Sequence, residues 1–159
     1  LHDWQLSFMP SFISGQPLGV GWSSTVSVDT TGTPSQGSRI VVNANPVLPK
    51  GDRTFESNFR TDVFQMPAVG SLGNAAKTLI RGPGINNWDI GVFKNFPIKE
   101  FARIQFRWEM YNAFNHTQFS GLDTTARFDG TGKQVNTQFG QFTAARNPRI
   151  MQFALRLNF

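Results

Sequence analysis

Residues 150–159 read IMQFALRLNF. Successive side chains of a strand point to opposite faces. Met151, Phe153, Leu155, Leu157 and Phe159 therefore share one side, and Gln152, Arg156 and Asn158 the other. Most soluble domains end in a polar, frayed tail. A closing strand this apolar on one side is expected to be buried or to be recognised by something.

Three further segments alternate in the same way. In residues 3–13, Trp4, Leu6, Phe8, Pro10 and Phe12 are interleaved with Asp3, Gln5, Ser7 and Ser11. In residues 88–96, Trp88, Ile90, Val92 and Phe96 oppose Asp89, Gly91 and Asn95, with Phe93 and Lys94 breaking the pattern. In residues 103–115, Ile104, Phe106, Trp108, Met110 and Phe114 oppose Arg103, Gln105, Arg107, Glu109 and Tyr111. With the closing strand at 149–159, each run is about ten residues, close to the ~9–11 that a tilted strand needs to cross a bilayer. Globular strands average about 5–6.

The connections are unequal. Six residues, PIKEFA at 97–102, join the second and third strands, whereas residues 14–87 and 116–148 make the other two connections. Short periplasmic turns and long extracellular loops mark an outer-membrane barrel. The turn at 97–102 is then periplasmic, and the last strand descends toward the periplasm. In such a barrel Trp4, Phe8, Trp88, Ile90, Phe106, Trp108 and Met110 are candidates to face lipid, and Asp89, Gln105, Arg107, Glu109, Tyr111, Gln152 and Arg156 to face the lumen. The alternation alone also fits a soluble β-sandwich, whose apolar faces pack on each other.

Composition agrees with an all-β chain. Sixteen phenylalanines stand against one tyrosine, and 15 glycines with 9 prolines supply turn punctuation. No run approaches the ~20 apolar residues of a membrane helix, which excludes a helical membrane protein but not a barrel. Lys and Arg number 15 against 10 Asp and Glu, giving +5, but they are scattered and locally dense only at 99–103, so no nucleic-acid partner is expected. The absence of cysteine removes disulfides and thiolate metal sites. The opening LHDWQLSFMP has neither an initiator methionine nor a signal-peptide pattern, and the expectation is a piece of something longer.

Chemical motifs are sparse. His2 and His116 stand far apart in sequence without neighbouring ligands, so no metal is expected. GTGK at 130–133 lacks the glycine spacing and the following Ser or Thr of a phosphate loop, and reads as a turn. Asn115 opens an NHT acceptor pattern, and residues 29–38, DTTGTPSQGS, read as a polar loop before a calcium site. Asp89 and Glu109 are expected to balance Arg107 or Arg156 rather than to act as an acid and base pair. No nucleophile arrangement stands out, so neither catalysis nor a cofactor is expected.

The stretch IRGPGINNWDIGVFKNFPIKEFARIQFRWEMYNAFNHTQFSG and the closing FGQFTAARNPRIMQFALRLNF resemble the C-terminal end of TonB-dependent outer-membrane receptors, in particular the Oar-like group with carboxypeptidase-regulatory-like domains. WQLSFMPSFISGQPLGV and LPKGDRTFESNFRTDVFQMP resemble the preceding strand and the surface loop after it. The resemblance implies that residues 1–159 are the C-terminal part of a large, plugged transmembrane β-barrel: an antiparallel meander of about four long strands with two long extracellular loops. It implies an outer-membrane location, uptake of an unidentified small ligand and coupling to the TonB complex through parts outside this chain. Alone, the chain is expected not to transport, since single-chain barrels begin at about eight strands. Phe153, Leu155, Leu157 and Phe159 resemble the signal read by the outer-membrane assembly machinery, and an edge strand can be recruited by strand addition. Two other readings stay open: a surface sandwich module for adhesion or carbohydrate binding, with exposed aromatics such as Trp22 as stacking platforms, and a structural barrel without energised uptake.

Overall fold

The computed structural model describes residues 3–32, 37–99 and 102–159. His2, residues 33–36 of the polar loop, and Glu100 and Phe101 of the short turn lie outside the described residues. The described chain is all β apart from a 3-10 turn at Lys50–Asp52. Its strands in chain order are β1 (Trp4–Ile13), β2 (Pro17–Leu18), β3 (Gly21–Ser24), β4 (Val41–Val42), β5 (Phe64–Gln65), β6 (Ile80–Arg81), β7 (Ile85–Lys99), β8 (Ala102–Tyr111), β9 (Phe119–Leu122), β10 (Thr125–Phe128), β11 (Phe142–Ala145) and β12 (Ile150–Asn158).

Two compact units divide the chain. The first holds the four long strands in the order β1-β7-β8-β12, every neighbouring pair antiparallel. This is the meander that the alternation predicts. The strand read at 88–96 extends over Ile85–Lys99, and the one read at 103–115 stops at Tyr111. Asn112 and Asn115 both take positive φ, 50° and 52°, which ends the extended chain there; asparagine tolerates this left-handed conformation better than most residues.

Register sorts the side chains into two faces, because directly paired residues project to the same side. One face is built from rows Phe8–Ile90–Met110–Met151, Leu6–Val92–Trp108–Phe153, Trp4–Lys94–Phe106–Leu155 and Phe96–Ile104–Leu157. Its one charged row position, Lys94, sits 5.1 Å from the Trp4 ring centroid and 5.7 Å from that of Phe96. The opposite face carries the pairs Met9–Asp89 and Tyr111–Ile150 and the rows Ser7–Gly91–Glu109–Gln152, Gln5–Phe93–Arg107–Ala154 and Asn95–Gln105–Arg156. The break noticed at residues 93 and 94 is thus one aromatic on the polar face and one cation on the apolar face.

Among the described residues, the buried apolar core lies in the second unit, residues 15–83 and 119–145, and draws none from the four-stranded sheet. Phe59, Phe64 and Phe139 meet edge to face with centroids 5.3–5.9 Å apart, and Ile40 and Phe128 are fully enclosed. Four two-stranded ladders frame this core, β3 with β10 in parallel and the other three antiparallel. The stretches read as loops therefore carry structure of their own. Trp22 is not an open stacking platform: it packs against this core near Phe128, and its indole N–H donates to the Ser38 carbonyl at 2.9 Å. GTGK closes a turn in which the Asp129 carboxylate accepts from the Thr131 hydroxyl at 2.6 Å and from the amides of Thr131 and Lys133. Asp29 caps the start of the polar loop similarly, accepting from the amides of Thr31 and Gly32.

Candidate functional site

The polar face of the sheet divides into a filled part and an open part. Toward the short turn, the Arg107 guanidinium lies 5.0 Å from the Phe93 ring centroid and 3.4 Å from Glu109. Glu109 accepts a hydrogen bond from the Gln152 amide, and Gln105 donates to Asn95 at 3.1 Å. Gly91 makes room for this arrangement: a Cβ there would stand 2.9 Å from the Phe93 ring. Arg107, Glu109 and Gln152 are therefore linked to one another, and Gln105 is tied separately to Asn95 on β7.

At the other end of the sheet, where the chain leaves for its two long connections, a groove of about 520 Å³ opens on the same face. Ser11 and Ile13 of β1, Ile85, Asn87 and Asp89 of β7, and Tyr111 and Ile150 at the ends of β8 and β12 form its strand-borne wall. The rest comes from the segments that follow β8 and precede β12. After Tyr111 the chain turns at Asn112, whose side-chain oxygen accepts from the His116 amide at 3.0 Å while its Nδ2 donates to the His116 carbonyl at 3.0 Å. That turn brings Gln118 back to β7, where its Nε2 donates to Asn87 Oδ1 at 3.0 Å. The Gln118 carbonyl accepts from the Arg146 amide at 2.7 Å, and this sets Arg146 and Asn147 on the rim. Asn115, the residue of the acceptor pattern, is engaged through its side-chain oxygen by the Arg149 amide at 3.0 Å.

Asp89 anchors the network. Its Oδ1 accepts from Asn87 Nδ2 at 2.8 Å and from the Asn112 amide at 2.9 Å. It is thus bonded to amide donors rather than to Arg107 or Arg156. Asp89 and Tyr111 are the two candidate residues that the groove brings together; the other lumen candidates lie further down the same face. Asn87, Asn112, Gln118 and Arg146 were not singled out from sequence. The asparagine-rich run YNAFNH was the available signal, since asparagines are favoured where a turn needs positive φ.

All seven lipid candidates project to the opposite face, together with Met151, Phe153, Leu155 and Leu157 of β12. Trp4, Phe8, Phe153 and Leu155 are 49%, 58%, 64% and 74% exposed. A model of the outer membrane beta barrel domain matches residues 1–152. The chain belongs to that family. As an outer membrane beta-barrel domain it resides in the outer membrane, and its four-stranded meander is a segment of barrel wall. No curated protein and no solved structure matches the domain.

Proposed function

We propose that this domain is part of the wall of a TonB-dependent receptor, with the Trp4, Phe8, Trp88, Ile90, Phe106, Trp108 and Met110 face against lipid and the Asp89 face toward the lumen. The observation that carries the proposal is the pairing of a surface that is apolar apart from Lys94 with a polar groove on the reverse of one sheet. An apolar face left exposed at half or more of its residues suits lipid and not water. A groove of this size falls within the about 300–1,000 Å³ of small-ligand sites. The role is binding and passage, not catalysis. Its partners are membrane lipid, the TonB complex acting through parts outside this chain, the assembly machinery along β12, and a small ligand.

The test is made on the outer-membrane protein that carries this domain. Photo-cross-linking in cells to the periplasmic domain of TonB, with and without an energised inner membrane, is expected to give an adduct. Absence of any adduct in correctly inserted protein removes the TonB reading and leaves a structural barrel.

A further inference from the structure

We infer that the two long connections, residues 15–83 and 119–145, form a single cooperative folding unit of their own, separate from the four-stranded sheet, whether or not uptake is energised. Each connection lacks what the other supplies. The buried core takes Ile40, Phe59 and Phe64 from the first and Ala126, Phe128 and Phe139 from the second. Phe139 lies against both Phe59 and Phe64, with centroids 5.3 and 5.7 Å away. Backbone bonds repeat the exchange: the Asn58 amide donates to the Gly140 carbonyl and the Phe142 amide to the Phe55 carbonyl, each at 3.0 Å. Gly140 has a φ of 90°, and a Cβ there would stand 2.8 Å from Thr61 Cγ2, so the approach of the two connections at this point calls for glycine.

The pairing of β3 with β10 is the weld that makes the unit cooperative. Parallel strands cannot be joined by a tight turn, and here β3 comes from the first connection and β10 from the second. This ladder exists only once both have reached their places. Its Ala126 and Phe128 are fully enclosed, so undoing it opens the core that Ile40 and Phe59 share. The ends of the unit are also closed from within. β2 pairs with β6 where the first connection begins and finishes, and β9 with β11 where the second does. The entropy of closing two long loops, which grows only slowly with length, is thus offset by the unit's own ladders. Residues 15–83 alone outnumber the roughly 40 below which a core rarely holds a fold unaided. Neither connection can then rearrange as a separate flap without dismantling a core that belongs to both.

The experiment is hydrogen exchange, read peptide by peptide by mass spectrometry across a urea series, on the outer-membrane protein carrying this domain in lipid vesicles. Peptides around Phe59 and Phe64 and around Phe128 and Phe139 are expected to be protected and to lose protection together, at a urea concentration different from that of β8 and β12. Phe128→Ala, made in the second connection, should lower protection around Phe59 and Phe64 in the first by about a hundredfold or more, the scale of one phenylalanine removed from a core, and leave β8 and β12 unchanged. Should that variant fail to fold the unit at all, the milder Ile40→Val in the first connection makes the test in reverse, with protection around Phe128 and Phe139 expected to fall by roughly two- to tenfold. Connections that exchange as an unfolded chain, a loss confined to the connection that carries the substitution, or a loss that comes only together with β8 and β12 overturns the inference.

Discussion

Phe153 of β12 stacks on Trp108 of β8, ring centroids 5.7 Å apart and planes 15° from parallel, in a directly opposed cross-strand pair. Aromatic cross-strand pairs of this kind stabilise a ladder by roughly 0.2–1 kcal/mol. Yet Phe153 remains 64% exposed and its neighbour along the strand, Leu155, 74%. Phe153 is stitched into the sheet on one side and left bare on the other, as expected of a wall whose solvent is lipid.

With that face in the membrane, Leu155→Arg is expected to lower the amount of inserted protein severely, since an arginine on the lipid face costs about 2–4 kcal/mol near mid-membrane. Arg156→Gln, one residue on and on the opposite face, should leave insertion close to normal. Outer-membrane abundance of the two variants, measured beside the unaltered protein, is the readout. Equal abundance of all three would contradict the assignment of faces.

Gly91 and Phe93 should be energetically coupled. A Cβ at Gly91 stands 2.9 Å from the Phe93 ring, and that ring supports the Arg107 guanidinium at 5.0 Å. Gly91→Ala is expected to destabilise by about 1–3 kcal/mol as Phe93 is pushed aside. In a Phe93→Leu background the obstruction is smaller, and the same substitution should cost less. A denaturation double-mutant cycle measures this, with a coupling of about 0.5–3 kcal/mol expected; additive effects would mean that the ring moves away freely.

The Asp129 turn should loosen in acid. Hydrogen bonding from the Thr131 hydroxyl, then from the amides of Lys133 and Thr131, holds this carboxyl below its ordinary value. A carboxyl whose pKa is depressed by folding contributes order that is complete above its unfolded value of about 3.9 and is lost as pH falls through the folded value. Amide chemical shifts of Thr131 and Lys133 should accordingly hold steady down to about pH 4 and move below it. Asp129→Asn should abolish the titration while leaving the four-stranded sheet unchanged.

The sheet was readable because strand periodicity is a local property. The alternation at 103–111 places Phe106 and Trp108 opposite Arg107 and Glu109 before any pairing is known. The register adds that Phe106 meets Leu155 and Trp108 meets Phe153. The core of the second unit was not readable, because Ile40, Phe59, Phe128 and Phe139 converge from segments far apart in sequence with no common period. The groove was half readable for the same reason. Asp89 and Tyr111 lie on strands, whereas Gln118 reaches it through a turn built on the positive φ of Asn112 and Arg146 through its backbone bond to the Gln118 carbonyl. Two-residue strands such as Val41–Val42 leave too short a signal for alternation to register.

Lys94 supplies a ruler for depth in the membrane. It lies on the apolar face in the row Trp4–Lys94–Phe106–Leu155, with only the row Phe96–Ile104–Leu157 between it and the short turn. Cations are tolerated near the interface, where a lysine costs about 0–1 kcal/mol and its stem can snorkel toward water. Moving two residues along a strand tilted by about 45° changes depth by roughly 5 Å. Val92→Lys should therefore cost more than the native Lys94 position does, and Ile90→Lys and Trp88→Lys, roughly 10 and 14 Å deeper and so near the middle of the band, should approach the ~2–4 kcal/mol of the midplane, with Trp88→Lys losing aromatic packing as well. Replacing each site by Gln as well as Lys isolates the charge contribution, and chemical unfolding of the barrel protein from lipid vesicles measures it. A charge cost that rises from 94 through 92 to 90 and stays high at 88 places the bilayer across this face. A flat profile would mean that the face meets water along its whole length, and would return the chain to a soluble sandwich.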